Sequence, residues 1–452
     1  MTDYKQIDAY LESNLAGSLA ELSKLVAQPS VGAQHWGLED CARLVGGMFE
    51  KRGFKVDILP SGGAPVVFAE RKGKSEKTLL FYNHYDVQPP EPLELWETPP
   101  FEPSQRDGKM YGRGISDDKG HIAARLFALD ALLQSAKDLP CDIKFIIEGE
   151  EETSSEHLFE FVRENKKRLS ADACMWEFGG VDHRDVPIQY LGLRGICYVE
   201  LWVEKLSTDV HSGLGGSIFP NAAWRLVWAL NSLKGPDERI RIAGFYDDVK
   251  PPSARDRELI AALPDVAEEY RSRYGVQEFI KGLKDGTELK VEEVFSPTCT
   301  ICGLTSGYQG PGSKTVLPAR ASAKVDFRLV PDQSPEDILQ KLRAHLDSTG
   351  FSDVQITDLG GEPPARTDPD DPFIRLVVDT ARDVYDAPMQ LVPLTGGSGP
   401  SYPFVHDLGL PVATAGLGYP DTRAHAPNEN IRIDLYLKHA RHMARLITEF
   451  AG

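Results

Sequence analysis

Cysteine is scarce in this chain, six in 452 residues. Cys41, Cys141, Cys174, Cys197, Cys299 and Cys302 are scattered, and several lie inside apolar runs, as buried free thiols do. This excludes a disulfide-stapled secreted scaffold and fits a reducing cytoplasm. Cys299-Thr300-Ile301-Cys302 is a lone C-x-x-C, and without a second pair it is a weak sign of a metal or redox site. Long hydrophobic runs are also missing. No stretch of about 18 apolar residues occurs, so no membrane-spanning helix is predicted. The opening residues, Met1-Thr2-Asp3-Tyr4-Lys5, have neither the basic nor the apolar stretch of a secretory leader. Positive charge is outnumbered, 50 Lys and Arg against 68 Asp and Glu, for a net charge of −18. Such a chain has no net attraction for nucleic acid or for an anionic membrane. Repeats and low-complexity segments are absent, and the length calls for two or three ordinary domains.

What is present alternates between two textures. Apolar spacing predicts helices over residues 4–27, 38–51, 119–136 and 156–168. Between them, short apolar runs at 56–59, 66–69, 78–82, 143–147 and 173–176 read as strands, of the kind buried on both faces of a parallel sheet. A proline-rich loop spans Pro89 to Pro103. Near Ile188 the pattern changes. Ile196 to Val203 is apolar and aromatic. From Thr315 to Leu329, Ala321, Ala323, Val325, Phe327 and Leu329 alternate with Ser322, Lys324, Asp326 and Arg328, the mark of an antiparallel sheet wet on one side. Helices are expected near 221–233 and 335–349. After Pro372 the first texture returns, with helices at 372–385 and 434–450, strands at 389–392 and 412–416, and a further helix opened by Gly396-Gly397-Ser398-Gly399-Pro400. The expectation is a three-layer α/β domain with a mostly parallel sheet, built from 1–190 and 371–452, and an inserted α+β domain over 191–370.

Chemistry gathers at the strand ends. Phe145-Ile146-Ile147-Glu148 runs into Gly149-Glu150-Glu151-Glu152. Crowded carboxylates repel one another and are costly to bury, so a divalent cation among them is one solution. A solvated acidic turn ahead of a helix is the other. His84 and Asp86 follow a second strand, Glu177 a third, and Asp117-Asp118 occupy a glycine-flanked turn, where they also suit a helix N-cap. His425 lies in the loop after the strand at 412. In open α/β sheets ligands collect at the carboxyl ends of strands. Histidine with carboxylates suits zinc, or manganese or cobalt where oxygen dominates. Two histidines with three or more carboxylates exceed one catalytic zinc and match two ions bridged by one carboxylate. Such a pair, roughly 3.5–4 Å apart, can activate water and polarise a carbonyl.

Several motifs together carry a family resemblance that runs nearly end to end. They are Asn83-His84-Tyr85-Asp86-Val87-Gln88-Pro89, Tyr111-Gly112-Arg113-Gly114-Ile115-Ser116-Asp117-Asp118-Lys119-Gly120, Glu148-Gly149-Glu150-Glu151-Glu152, Leu193-Arg194-Gly195, Asp209-Val210-His211-Ser212-Gly213, Thr315-Val316-Leu317-Pro318, Phe327-Arg328-Leu329-Val330-Pro331 and Gly396-Gly397-Ser398. The chain resembles the dinuclear-zinc metallopeptidases that include carnosinases and other dipeptidases, aminoacylases and glutamate carboxypeptidases, with the dipeptidase branch fitting best. The resemblance implies two divalent ions per subunit, Zn²⁺ first and Mn²⁺ or Co²⁺ next. It implies His84 and Glu177 on one ion, Glu152 and His425 on the other, and Asp117 bridging both. It makes Glu151 the general base and Asp86 the residue that orients His84. His211 of the inserted domain would reach the site of a second subunit and stabilise the oxyanion. Arg328 would hold the substrate carboxylate, with Thr315, Gly397 and Ser398 completing the substrate site.

The implied activity is hydrolysis of dipeptides or short peptides with a free C-terminal carboxylate, by a cytoplasmic homodimer joined through an inserted lid and dimerisation domain. The alternatives are a deacylase of N-acyl amino acids and a non-catalytic, dimerising peptide-binding relative. Three positions depart from the pattern. Glu177 stands where carnosinase-type dipeptidases have Asp, Ser154 where Gly is frequent, and His121 where a small residue or proline is usual.

Overall fold

The structure is a computed structural model that describes residues 4–284 and 286–452. The leader reading falls in part on Met1, Thr2 and Asp3, which lie outside the described residues. The chain divides into two units. The first comprises Met1–Gly192, Arg366–Pro393 and Pro400–Gly452, and the second Leu193–Ala365 with Leu394–Gly399. The expected cuts at 190/191 and 370/371 differ by a few residues, and the Gly396-Gly397-Ser398 loop groups with the second unit rather than the first.

The first unit is built on a six-stranded sheet in the order Lys55–Leu59, Val66–Arg71, Cys141–Glu148, Ser75–His84, Ala173–Trp176, Val412–Thr414. The last four strands run parallel, and the first two join antiparallel. The parallel strands are apolar throughout because both faces are covered. Leu80, Tyr82, Ile146, Cys174 and Trp176 face one layer, made by the helix Leu158–Glu164 and the π-helical turn Pro403–Asp407. Tyr82 stacks on Trp176 with ring centroids 3.9 Å apart. On the other face Phe81 stacks on Phe145 at 4.6 Å. There the helices Tyr4–Ala27, Lys119–Ala136 and Ile433–Phe450 pack together. Aromatic pairs of this kind contribute about 1 kcal/mol each beyond their buried area.

Local chemistry explains where the segmentation differs from expectation. The helix expected over 156–168 breaks at Asn165 into Leu158–Glu164 and Lys166–Leu169, and the Asn165 side chain donates to the Phe161 carbonyl. The strand Gln390–Val392 pairs with Pro187–Tyr190 in a separate small sheet instead of joining the main one. Gly396 to Pro400 opens no regular α-helix, and only the turn at Pro403–Asp407 follows.

The second unit is a four-stranded antiparallel sheet in the order Thr300–Ser306, Arg320–Leu329, Gly195–Glu204, Gln355–Glu362. Its alternation follows the sequence: Cys197, Val199, Leu201 and Val203 join Ala321, Ala323, Val325, Phe327 and Leu329 in a core covered by Ala222–Leu233 and Pro335–Ser348. Arg328 and Asp326 lie on the opposite face. Pro318 separates the short strand Val316–Leu317 from Arg320–Leu329, so the single run expected from Thr315 is two elements.

Candidate metal centre

Because Ser75–His84, Cys141–Glu148 and Ala173–Trp176 run parallel, their carboxyl ends lie along one edge. His84 ends the first, Glu148 the second, and Glu177 follows the third. The loop Gly112–Asp118 brings Asp117 to the same edge. The two oxygens of Asp117 divide between two imidazoles: Oδ1 lies 2.9 Å from His84 Nε2, and Oδ2 lies 2.9 Å from His425 Nε2. His84 Nε2 is 3.8 Å from Glu177 Oε2, and His425 Nε2 is 3.1 Å from Glu152 Oε2. Ligand-type atoms converge in two sets, His84 with Asp118 and Glu177, and Asp117 with Glu152 and His425.

Both bland sequence readings give way to these contacts. Asp118 stands at the helix N-cap position, yet its side chain caps nothing. Its Oδ2 instead accepts from the Asn83 amide at 2.6 Å and from the His84 main-chain N–H at 3.2 Å. The Glu151–Thr153 turn is not a solvated acidic bend. Asp86 reaches across to accept from the Glu151 and Glu152 amides at 3.2 and 3.0 Å, and the Glu152 side chain is 4% exposed. Asp86 also fixes the His84 ring, whose Nδ1 lies 3.1 Å from the Asp86 carbonyl. A backbone partner on one nitrogen turns the other outward as a donor atom.

The electrostatics test whether a cation fits. Burial drives the carboxyls of Glu151 and Glu177 well above the ordinary range; neighbouring carboxylates, Asp117 among them, add to this, and His84 opposes it. Burial opposes a charge on His84, but the bonds to Asp117 and Asp86 outweigh it and raise its pKa. His425 is raised to about 10 by Asp117 and Glu152. Asp117, despite burial, is held well below the ordinary range by the two histidines. Among the described residues, Glu177 Oε2 is buried with no hydrogen-bond partner. Such a group costs several kcal/mol unless a positive charge meets it. Imidazole nitrogens and carboxylate oxygens directed at one another are the donor set of a borderline divalent ion, so the residues fit the group.

The other expected residues belong to the second unit. His211 ends the strand Val210–His211, which pairs with Val316–Leu317 and so neighbours Thr315. The exposed His211 ring accepts at Nδ1 from Gly213 N–H, and the Thr315 carbonyl accepts from Ser212 N–H at 3.1 Å. Arg328 donates from Nη1 to Ser398 Oγ at 2.8 Å, and Gly397 O accepts from Arg194 N–H. His211 with Thr315, and Arg328 with Gly397 and Ser398, are thus two neighbourhoods of that unit.

Sequence reasoning passed over the residues that hold the ligands. Arg125, fully buried on Lys119–Ala136, donates to the carbonyls of Tyr82, Trp176 and Glu177 and to Asn83 Oδ1. It thereby ties together the two strand ends that carry His84 and Glu177. A lone arginine in Ile122-Ala123-Ala124-Arg125-Leu126 was the signal. Glu148, left without a role by its sequence, is buried and accepts from Tyr82 Oη at 2.6 Å and Ser155 Oγ at 2.9 Å, and burial raises its carboxyl to about 8. Gln88 donates to Glu152 Oε2 at 2.9 Å. His121, one of the departures, is buried with Nδ1 2.8 Å from Asp118 Oδ1.

Comparison with known proteins agrees with this geometry. A family model described as peptidase family M20/M25/M40 matches residues 80–449, which take in every residue of the centre. The human Beta-Ala-His dipeptidase is 34% identical over 305 residues, covering 64% of this chain and 58% of that protein, so the match spans less than two thirds of its length. The Cys-Gly metallodipeptidase dug1 of Schizosaccharomyces pombe is 27% identical over 458 residues, 96% of this chain and 95% of that one. Among solved structures, an M20 family metallo-carboxypeptidase from Sulfolobus solfataricus aligns with a TM-score of 0.91 at 36% identity, covering 96% of this chain and 99% of that one. A match over most of the length, joined to paired His and carboxylate sets at the ends of parallel strands, makes the chain a member of peptidase family M20/M25/M40.

Proposed function

We propose that the chain is a metal-dependent exopeptidase that cleaves dipeptides, or short peptides with a free C-terminal carboxylate. The observation that carries this reading is the Asp117 carboxylate divided between His84 and His425, with Glu151, Glu152 and Glu177 around it. The dipeptidase and carboxypeptidase names of the relatives support the substrate class. His84 and Glu177 would hold one ion, Glu152 and His425 a second, and Asp117 both, with Zn²⁺ the expected metal. When bound, the two ions supply an acidified water and an electrophile for the scissile carbonyl. Asp86 holds the His84 ring and the Glu151 turn in register. Glu151 takes a proton from the attacking water at its carboxylate and passes it to the leaving amine nitrogen. A carboxyl raised above its ordinary pKa is better matched to that shuttle at neutral pH. Arg328, steadied by Ser398, would hold the substrate carboxylate, a task a guanidinium suits. Gly397 would line the substrate site with Arg328, and Thr315, which neighbours His211, would line the site that His211 enters.

His211 would serve as an oxyanion donor supplied by a second copy of the chain. Unit 2 would act as lid and dimerisation domain. On the helix Ala222–Leu233, Trp224, Val227 and Trp228 are exposed at 57%, 41% and 55% and fall on one stripe, and Leu214 and Ile218 nearby in sequence are exposed as well. Such a stripe suits a second copy better than water. Six free cysteines, five of them buried, favour a reducing cytoplasm. Among the described residues no helix is long and apolar enough to cross a membrane.

The test is a panel of dipeptides, their C-terminal amides and N-acetyl amino acids, assayed on protein stripped with chelator and reloaded with Zn²⁺, Mn²⁺ or Co²⁺. Free dipeptides should be cleaved only by the reloaded protein, and the amides poorly. Turnover of N-acetyl amino acids alone would replace this reading with a deacylase. Failure to bind any divalent ion would replace it with a non-catalytic relative.

A further inference from the structure

The loop from Gly112 to Asp118 consists of turns and has no strand or helix to fix it. Its shape depends on Glu429, which is 1% exposed. Glu429 Oε2 accepts from Arg113 Nη1 at 2.7 Å and from Gly114 N–H at 2.9 Å. Its Oε1 accepts from Ser116 N–H at 2.8 Å and from Asp117 N–H at 3.1 Å. Its main-chain carbonyl accepts from Gly112 N–H at 3.0 Å. Two oxygens therefore satisfy four donors, the full capacity of a carboxylate. Gly114 has φ +79° in the middle of this wrap, and a Cβ there would meet Val87 Cγ1 at 2.3 Å.

The segment that carries Glu429 also carries His425. It is anchored from the side by Asn428, whose Oδ1 accepts from Glu97 N–H and whose Nδ2 donates to the Leu95 carbonyl, both at 2.8 Å. One short stretch thus grips Asp117 twice, at its amide through Glu429 and at Oδ2 through His425.

We propose that Glu429 is a positioning residue for the centre: by fixing the main chain of Asp117, it keeps the two oxygens of that carboxylate shared between His84 and His425 and sets the affinity of the Asp117, Glu152 and His425 half. The inference rests on the two-ion reading above. The competing role is plain charge balance for Arg113, itself 1% exposed. The two roles separate because removing one partner of a buried ion pair is costly, whereas removing both together is cheap. Glu429→Gln keeps the shape but replaces one oxygen with an NH2 group, which cannot accept from a main-chain N–H.

The experiment uses the full chain as wild type, Glu429→Gln, Glu429→Asp and the double variant Arg113→Met/Glu429→Gln. Bound zinc is counted by elemental analysis, affinities are measured by competition with a chromophoric chelator, and melting curves are recorded in parallel. The wild type should bind two ions. Glu429→Gln should bind one ion as the wild type does and lose at least about tenfold in affinity for the other, the usual scale for residues behind metal ligands. The double variant should recover melting temperature without recovering the second ion. Glu429→Asp keeps the charge beside Arg113 and withdraws from the amides, so it should fold and still bind the second ion weakly. Two ions held at wild-type affinity in Glu429→Gln or Glu429→Asp, or recovered in the double variant, would overturn the inference alone. A wild type that binds fewer than two ions would overturn the two-ion reading and this inference with it.

Discussion

Glu151 and Glu152 are neighbours in sequence with opposite surroundings. The Glu152 carboxylate is met by His425 and Gln88, whereas no hydrogen bond to the Glu151 carboxylate is seen among the described residues. A ligand needs fixed partners, and a proton shuttle needs a free lone pair. Glu151→Gln should therefore retain its metal and lose turnover by about 10²- to 10⁴-fold, the span of general-base catalysis. Metal content together with kcat decides it: a variant that keeps wild-type kcat removes Glu151 from the mechanism. The pool of candidate ligands was legible at this scale because metal chemistry admits few residue types, whereas the choice of Asp117 over Asp118, and of Glu152 over Glu150 and Glu151, came from the family resemblance alone. Arg125 was not legible, and Glu429 was visible only as part of the run Arg423 to Glu429 with no role attached, because a buried counter-charge is defined by what surrounds it, and its neighbours are far away in the chain.

At the scale of elements, the helix Ile433–Phe450 carries two histidines that face the interior. Among the described residues His439 has neither nitrogen partnered, and burial drives it well below its ordinary pKa. His442 is lowered by burial to about 4, against the favourable pull of the Val377 carbonyl 2.9 Å from its Nε2. Between the ordinary value and about 4, the unfolded chain takes a proton on His442 that the folded chain refuses. Stability from this group is thus fully present near neutrality and is lost as pH falls through that window. Metal-free protein should lose about 2 kcal/mol from His442 alone between pH 7 and pH 5. Urea unfolding at both pH values should show a smaller loss for His442→Gln than for wild type, and equal losses would refute the assignment. Periodicity located the helix Lys119–Ala136 to the residue, because its apolar positions recur without interruption. The strand Gln355–Glu362 escaped notice because it is mostly exposed and contains Gly360 and Gly361, leaving no alternation to read.

For the whole molecule, the two textures of the sequence correspond to the two units because each texture answers to a different environment. Buried parallel strands must be apolar on both faces, whereas a sheet with one wet face must alternate. What periodicity could not supply was the unit to which a loop belongs, and Leu394–Gly399 was misassigned for that reason. The exposed stripe Trp224, Val227 and Trp228 gives a prediction at this scale. The wild type should sediment as a dimer at micromolar concentration, and Trp228→Glu should sediment as a monomer with an unchanged far-UV spectrum. A monomeric wild type would deprive His211 of its role in a second subunit's site.

The order of the segments has a consequence for synthesis. A chain emerging from the ribosome as far as Gly399 already carries His84, Asp117, Glu151, Glu152 and Glu177, but lacks the edge strand Val412–Thr414, His425 and Glu429, all of which arrive with Pro400–Gly452. At about 5–20 residues per second, the nascent protein spends seconds with its acidic cluster made and its last imidazole unmade. Of the two ligand-type sets, the one made of His84, Asp118 and Glu177 precedes Pro400–Gly452 whole, whereas the one made of Asp117, Glu152 and His425 waits for it.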